Sequence, residues 1–349
     1  MNLSIVEPIF QQLIRRLTFL FLALISTILL IAITLVTYKD NSLMDETINQ
    51  PNNELSWDPK KMIFENPKAT DLVKEGYSLV SESSKYMGPL AEEPSQRFAG
   101  NNLSCTNCHL NGGTQSGSAS WIGILDRFPQ FRGRENKIGT IKDRINGCME
   151  RSLNGVKLPN NSNQMNAIIA YIEWISSEIP EVNLKVFKGF PNIKIPNVAV
   201  NLDMGKQIYT RECVLCHGSD GEGIRYKDDK KGYQYPPLWG EDSYNDGAGM
   251  HRVITAAAFI KNNMPYLQAS WDDPKLSDLE AFHVAGYINS FSRPKKNNKE
   301  NDFPDRKLKP VSTPYGPWSD TFSPEQHKYG PFPPIIAYYK KTFNLNKTK

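Results

Sequence analysis

The chain has 349 residues, 39% of them apolar, and a formal net charge of +4. That length accommodates two ordinary domains, each with its own core, while a small charge spread along the chain argues against a nucleic-acid-binding protein. With 24 prolines and 23 glycines, short helices separated by irregular chain are expected.

The first element is an uncharged run from Leu17 to Tyr38, rich in Leu, Ile and Phe. It exceeds the roughly 20 helical residues that cross a hydrocarbon layer. Arg15 and Arg16 precede it, which places residues 1–16 in the cytoplasm and the remainder outside. A cleaved signal would have a shorter apolar core and an Ala-x-Ala site, and neither occurs, so 17–38 reads as an uncleaved transmembrane anchor. Residues 39–67 are polar, rich in Asn, Asp and Pro, and read as a tether.

A first domain is expected over 68–180. Leu72, Val73, Leu79 and Val80 predict a helix ending before Gly88-Pro89, and Cys105-Thr-Asn-Cys108-His109 follows. After a Gly/Ser-rich loop and the segment Trp121 to Arg134, a helix is predicted from an N-cap at Thr140, with Asp143 three residues on, to a stop at Asn154-Gly155. A last helix spans Asn163 to Ser177, with the stripe Ile168, Ile172, Ile175, and Pro180 closes it.

Residues 181–200 form a Pro/Lys/Asn linker, and the pattern then repeats over 201–294. Leu202 to Thr210 is a short helix leading into Cys213-Val-Leu-Cys216-His217. A helix from Met250 to Asn262, the turn Met264-Pro265 and a helix from Leu276 to Phe291 come after it. Two copies of one small all-α domain are the economical reading. Residues 295–349, rich in Pro, Lys, Tyr and Phe, are expected to pack on the surface of the second domain.

Cys-x-x-Cys-His is the attachment sequence for c-type haem: the thiols of Cys105 and Cys108, and of Cys213 and Cys216, bond the vinyl groups, and His109 and His217 become proximal iron ligands. A zinc site would use the same cysteines without accounting for the repeated domain pattern. For the second haem Met264, in its Met-Pro turn before the last helix, is the expected distal ligand, with Met250 competing. In the first half the equivalent turn is Leu158-Pro159, and His109 is the only histidine before His217. Met87, Met149, Met165 and Cys148 remain. Cys148 shares a core-facing stripe with Ile141 and Ile145. Arg144, Arg151 and Ser152 would be its neighbours on one helical flank, where guanidinium groups favour a thiolate. The bland reading of an unpaired cysteine is a small buried residue. Arg127, Arg132 and Arg134, interleaved with Phe128 and Phe131, give the first haem a cationic surround that suits an anionic substrate or the haem propionates.

These motifs, with Arg127-Phe-Pro-Gln-Phe-Arg, Pro236-Pro-Leu-Trp-Gly, Gly247-Ala-Gly-Met, Asn263-Met264-Pro265 and Pro314-Tyr-Gly-Pro, give a chain that resembles the dihaem c-type thiosulfate dehydrogenases. The resemblance implies two class I cytochrome-c-like domains in tandem and two covalent haems c. It implies oxidative joining of two thiosulfates to tetrathionate, or the reverse. It implies His109 and Cys148 as ligands of an active-site iron, Arg134, Arg144 and Ser152 as substrate holders, and His217 and Met264 as ligands of an electron-exit haem. A thiolate able to leave the iron would also be able to attack sulfur, giving a covalent Cys148 intermediate. The expected location is the periplasmic side of a bacterial inner membrane, with a periplasmic cytochrome c or membrane oxidase as electron partner. The competing reading is a tethered dihaem electron carrier without substrate chemistry; a peroxidase-like dihaem enzyme is disfavoured because the first half has no spare histidine.

Overall fold

The computed structural model describes residues 11–12, 14–31, 59–177 and 187–349. The chain divides into two compact units, Met1–Ser56 and Trp57–Lys349. In the first, helix α1 (Ile14–Ile31) has a mean hydropathy of 2.1 and none of it is buried in the protein. Its two threonines turn their hydroxyls inward: Thr18 donates to Ile14 O at 2.9 Å and Thr27 to Ala23 O at 3.1 Å. Polar groups satisfied within the helix are what an apolar surround requires. The helix starts three residues before the expected span, and residues 32–38 of that span lie outside the described ones.

The second unit begins with α2 (Pro59–Glu65), where the sequence suggested a tether. Ile63 anchors it, fully buried in the core of the first half. Helix α3 (Asp71–Ser81) opens on Thr70, whose side chain accepts from Val73 N, and is followed by α4 (Ser83–Met87), which ends at Gly88. After α5 (Leu110–Gly113), the hairpin β1 (Gln130–Arg132) and β2 (Lys137–Gly139) leads into α6 (Ile141–Met149). Helix α7 (Asn163–Ser177) buries Ile168, Ile172 and Ile175; Pro180 lies outside the described residues.

Helices α3 and α7 cross where Gly76 meets Ala167 and Tyr171. A Cβ on Gly76 would stand 2.0 Å from Ala167 O and 2.8 Å from Tyr171 Cβ. The second half repeats the device. Helix α8 (Leu202–Glu212) and α9 (Val214–His217) precede a hairpin, β3 (Ile224–Arg225) with β4 (Tyr233–Tyr235), then α10 (Val253–Asn263) and α11 (Asp278–Ile288). There α8 crosses α11 at Gly205, whose Cβ would stand 2.4 Å from His283 O and 2.7 Å from Tyr287 Cβ. Only glycine lets two backbones approach this closely.

Several predicted helices differ at their ends. Helix α6 stops at Met149 rather than at Asn154, because Leu153 N donates to Cys148 O and Gly155 N to Met149 O, which turns the chain back on itself. Arg151 and Ser152 therefore leave the flank shared by Arg144 and Cys148. Met250 lies in a short 3-10 turn ahead of α10, and α11 is shorter at both ends than the sequence suggested.

Residues 295–349 do more than cover a surface. From α13 (Pro333–Phe343), Ile335 and Tyr339 enter the core of the second half, as does Phe332 just before it. Helix α12 (Pro324–Tyr329) carries buried His327, whose Nδ1 donates to Val311 O at 2.8 Å, opposite Asp320 at 2.9 Å from Nε2. Nearer its start the tail reaches the first half, where Asp302 binds Arg134 and Arg151.

Candidate functional site: two haem motifs and a cationic centre

Each Cys-x-x-Cys-His motif sits on a short helical turn that brings both thiols and the imidazole to one side of the chain. The proximal rings are oriented identically. His109 Nδ1 donates to Ala119 O at 2.8 Å and His217 Nδ1 to Pro236 O at 2.8 Å. A carbonyl only accepts, so the proton is on Nδ1 and Nε2 is left with the lone pair that an iron needs.

A cavity of about 490 Å³ is lined by Cys213, Cys216 and His217, with Met250 and Met264 also on its wall. That size lies within the roughly 300–1,000 Å³ of ligand pockets. All five cysteines are free thiols, and each motif keeps its pair available for thioether bonds. Donor set, ring orientation and cavity fit haem c. Both methionines face the same cavity, so either can serve as the distal group of the second centre.

Thr106, Asn107 and Cys108 line that same cavity from the first half, so it extends to the edge of the first motif. Polar contacts dock the halves around it. Asn102 donates from its backbone N to Asp242 at 2.9 Å, and its Nδ2 reaches both carboxylate oxygens. Asn101 Nδ2 bridges Ser152 O and Ser243 O at 3.0 and 3.1 Å. Gln115 Nε2 donates to Asn263 Oδ1 at 3.1 Å, while Asn263 Nδ2 donates to Gly117 O at 3.0 Å. The loop that orients His109 is thereby tied to the residue preceding Met264.

In the first half, Met87, Met149 and Met165 are packed in the core. Leu158 is buried too, its backbone held by Asn146 through two hydrogen bonds of 2.8 and 3.0 Å. Cys148 differs: it keeps accessible surface, accepts from Arg144 Nη1 at 2.8 Å, and faces His109. Burial pushes the thiols of Cys105, Cys108 and Cys213 up, to about 11, 12 and 12. Burial acts on Cys148 in the same sense, but the Arg144 charge and the contact with His109 outweigh it and bring the thiol down to about 6. At neutral pH the uncoordinated side chain is a thiolate, the form that ligates and attacks.

The other expected substrate residues are placed less uniformly. Among the described residues, the Arg134 side chain makes all three of its hydrogen bonds from Nη1: to Gly247 O at 2.9 Å, Asp302 Oδ2 at 2.6 Å and Tyr315 OH at 3.4 Å. Arg151 Nη2 takes the other oxygen of Asp302 at 2.6 Å. Arg132 pairs with Glu135 at 2.9 Å and overlies Gly147, where a Cβ would be 3.3 Å from its Nη2. Ser152 is half-buried in the turn after α6, its carbonyl held by Asn101. Arg127 is half-buried and, among the described residues, makes no ion pair. Asp302 and Tyr315 escaped the sequence reading: they lie 168 and 181 positions from Arg134, and no local pattern signals such a contact.

Residues 95–180 match the family model described as SoxA/TsdA, cytochrome c domain, and 202–292 match the one described as cytochrome c. The thiosulfate dehydrogenase of Stutzerimonas stutzeri is 37% identical over 231 residues, covering 66% of this chain and 73% of that protein. That of Allochromatium vinosum is 38% identical over 211 residues, covering 59% and 76%. Among solved structures, the thiosulfate dehydrogenase (TsdBA) of Marichromatium purpuratum, in its "as isolated" form, superposes with a TM-score of 0.58 at 33% identity, covering 65% of this chain and 47% of that one. With identities at this level over most of the length of such relatives, and two tandem cytochrome c domains that bind covalent haem c, the chain belongs to the thiosulfate dehydrogenase family.

Proposed function

We propose that this chain joins two thiosulfates into tetrathionate in its first domain and passes the two electrons out through its second. The observation that carries this reading is Cys148, whose sulfur accepts from Arg144 Nη1 at 2.8 Å and faces His109, contacts that draw its thiol pKa down to about 6. His109 and Cys148 would hold the first haem iron, His217 and Met264 the second, and haem c supplies a one-electron acceptor at each centre. Arg144, Arg134 and Ser152 would hold the dianions.

The chemistry assigned to this chain's residues balances. The Cys148 thiolate and the sulfane sulfur of one thiosulfate form an S–S bond with loss of two electrons, giving a Cys148 S-thiosulfonate. A second thiosulfate attacks the thiosulfonate sulfur, the bond to Cys148 breaks, tetrathionate leaves and the thiolate is regenerated. Arg144 favours the anionic form of Cys148 at both ends of this sequence.

The exported part would be held at the periplasmic face of an inner membrane by 17–38, handing electrons to a periplasmic cytochrome c or a membrane oxidase. The apolar, exposed α1 and the two arginines before it support this placement. The test is a titration of the purified oxidised protein with thiosulfate and of the reduced protein with tetrathionate, with both haems followed by absorbance. Reduction by thiosulfate supports the forward reaction, and reoxidation by tetrathionate alone supports the reverse. Inertness to both favours a carrier cytochrome.

A further inference from the structure

The carbonyl that orients His109 belongs to a strained residue. Ala119, whose oxygen takes the Nδ1 proton at 2.8 Å, has a φ of 53°. A residue with a side chain holds this left-handed conformation only where its surroundings impose it. Its own N–H donates to Gly189 O at 3.1 Å. The other restraints come from the second domain. Gly117 O accepts from Asn263 Nδ2 at 3.0 Å, and Gln115 Nε2 donates to Asn263 Oδ1 at 3.1 Å. Gly117 also lies against Trp271, so close that a Cβ on it would stand 2.6 Å from the Trp271 Cβ. Residues 263–271 thus grip the loop 115–119 at three points.

Asn263 is fully buried, and its second Nδ2 hydrogen goes to Phe259 O at 3.0 Å, which fixes the side chain on the last turn of α10. Met264 follows directly, its N–H on Ile260 O at 2.9 Å. A continuous set of bonded groups therefore runs from the turn that presents Met264, through one amide, to the loop that holds His109. The hydrogen bond from the outer nitrogen of a ligating histidine makes the ring more basic, and losing such a partner changes metal affinity roughly 10–100-fold. A displacement of Ala119 O would be felt at any iron bound to His109.

We propose that Asn263 is a positioning residue that couples the two redox centres. It holds the Ala119 carbonyl in place from the second domain, so the potential of the first haem depends on where the segment after α10 lies. Because such coupling is reciprocal, a change at the first centre is also transmitted to the turn carrying Met264. The inference rests on the reading of His109 and His217 as haem ligands, and it is independent of the sulfur chemistry.

The test compares two neighbouring asparagines in the holoprotein. Asn262 is 3% exposed and also spends Nδ2 on two carbonyls, Ala258 O at 2.6 Å and Pro191 O at 3.1 Å. Among the described residues none of its side-chain hydrogen bonds reaches the loop 115–119. Asn263→Ala and Asn262→Ala, each with two haems per chain, are titrated redox-wise with the two ferric signals resolved by electron paramagnetic resonance. Loosening Ala119 O leaves His109 less basic, which disfavours ferric iron. Asn263→Ala should therefore raise the ferrous-to-ferric ratio of the first haem about threefold or more at the wild-type midpoint, about 28 mV for one electron. Asn262→Ala should leave that ratio below the same threshold. A smaller rise or a fall in Asn263→Ala, or an equal rise in Asn262→Ala, overturns the proposal. Should Asn263→Ala lack haem, Gln115→Ala removes a contact with the same amide from the first-domain side and is judged by the same criterion. A wild type inert to thiosulfate and tetrathionate sinks the activity reading, while these potentials still decide the coupling.

Discussion

Cysteines of identical chemistry differ here in acidity because of what surrounds each sulfur. Cys105, Cys108 and Cys213 are held protonated by burial, while the same burial at Cys148 is overcome by a guanidinium 2.8 Å away and by His109. Replacing Cys148 by Ser removes the thiolate and keeps the volume. Turnover with thiosulfate should fall on the order of 10²-fold or more, with two haems per chain still attached by pyridine haemochrome assay; full turnover with both haems in place would sink the covalent route. Cys148 itself was legible in the sequence, since the first half offers no spare histidine and has Leu158 where the second has Met264. Its partner Arg144 was legible too, lying four positions earlier on one helix. Asp302 was not, because what it neutralises is 151 and 168 residues away.

Elements show how one domain plan was used twice. Apolar periodicity located α7 end to end, and Thr140 with Asp143 located the start of α6, where both halves of a capping box are made. What periodicity does not carry is the depth of a helix crossing. Gly76 and Gly205 hold α3 against α7 and α8 against α11, with no room for a methyl group at either. Gly76→Ala and Gly205→Ala should each cost about 1–3 kcal/mol through forced backbone shifts, read as a lower urea midpoint at unchanged m-value. The end of α6 was misjudged for a tertiary reason. The chain after Met149 turns back so that Gly155 packs on Phe98 O, 1.9 Å from where its Cβ would be, and this overrides the local helix signal.

At the scale of the molecule, Asp302 ties the tail to the first domain through two buried ion pairs. Burial raises its carboxyl, but Arg134, Arg151 and Tyr315 prevail and hold it below the usual carboxylate range. A depressed pKa in the folded state contributes stability above the unfolded value of about 3.9 and loses it as pH falls through the folded one. Asp302→Asn should therefore cost about 3–5 kcal/mol at pH 7, because it strands two guanidiniums, and the penalty should shrink as pH drops below about 4. Denaturant midpoints of the two proteins at pH 7 and pH 3 check both statements. The proposed anchor is tested by removing it: residues 39–349 behind a cleavable signal should appear in the soluble periplasmic fraction with two haems per chain, and membrane retention would count against 17–38 as the sole anchor.

Attachment chemistry, domain repetition and the apolar N-terminal run were determined by the sequence alone, because each depends on residues close together in the chain: Cys-x-x-Cys-His on one turn, Ile168, Ile172 and Ile175 on one face, Leu17 to Tyr38 as one uncharged span. The charge balance around Cys148 was decided only by tertiary structure. Arg134 and Arg151 share one carboxylate that arrives from the tail. Coulomb energy depends on distance in space, and the separations that matter here are a few ångströms between residues more than a hundred positions apart.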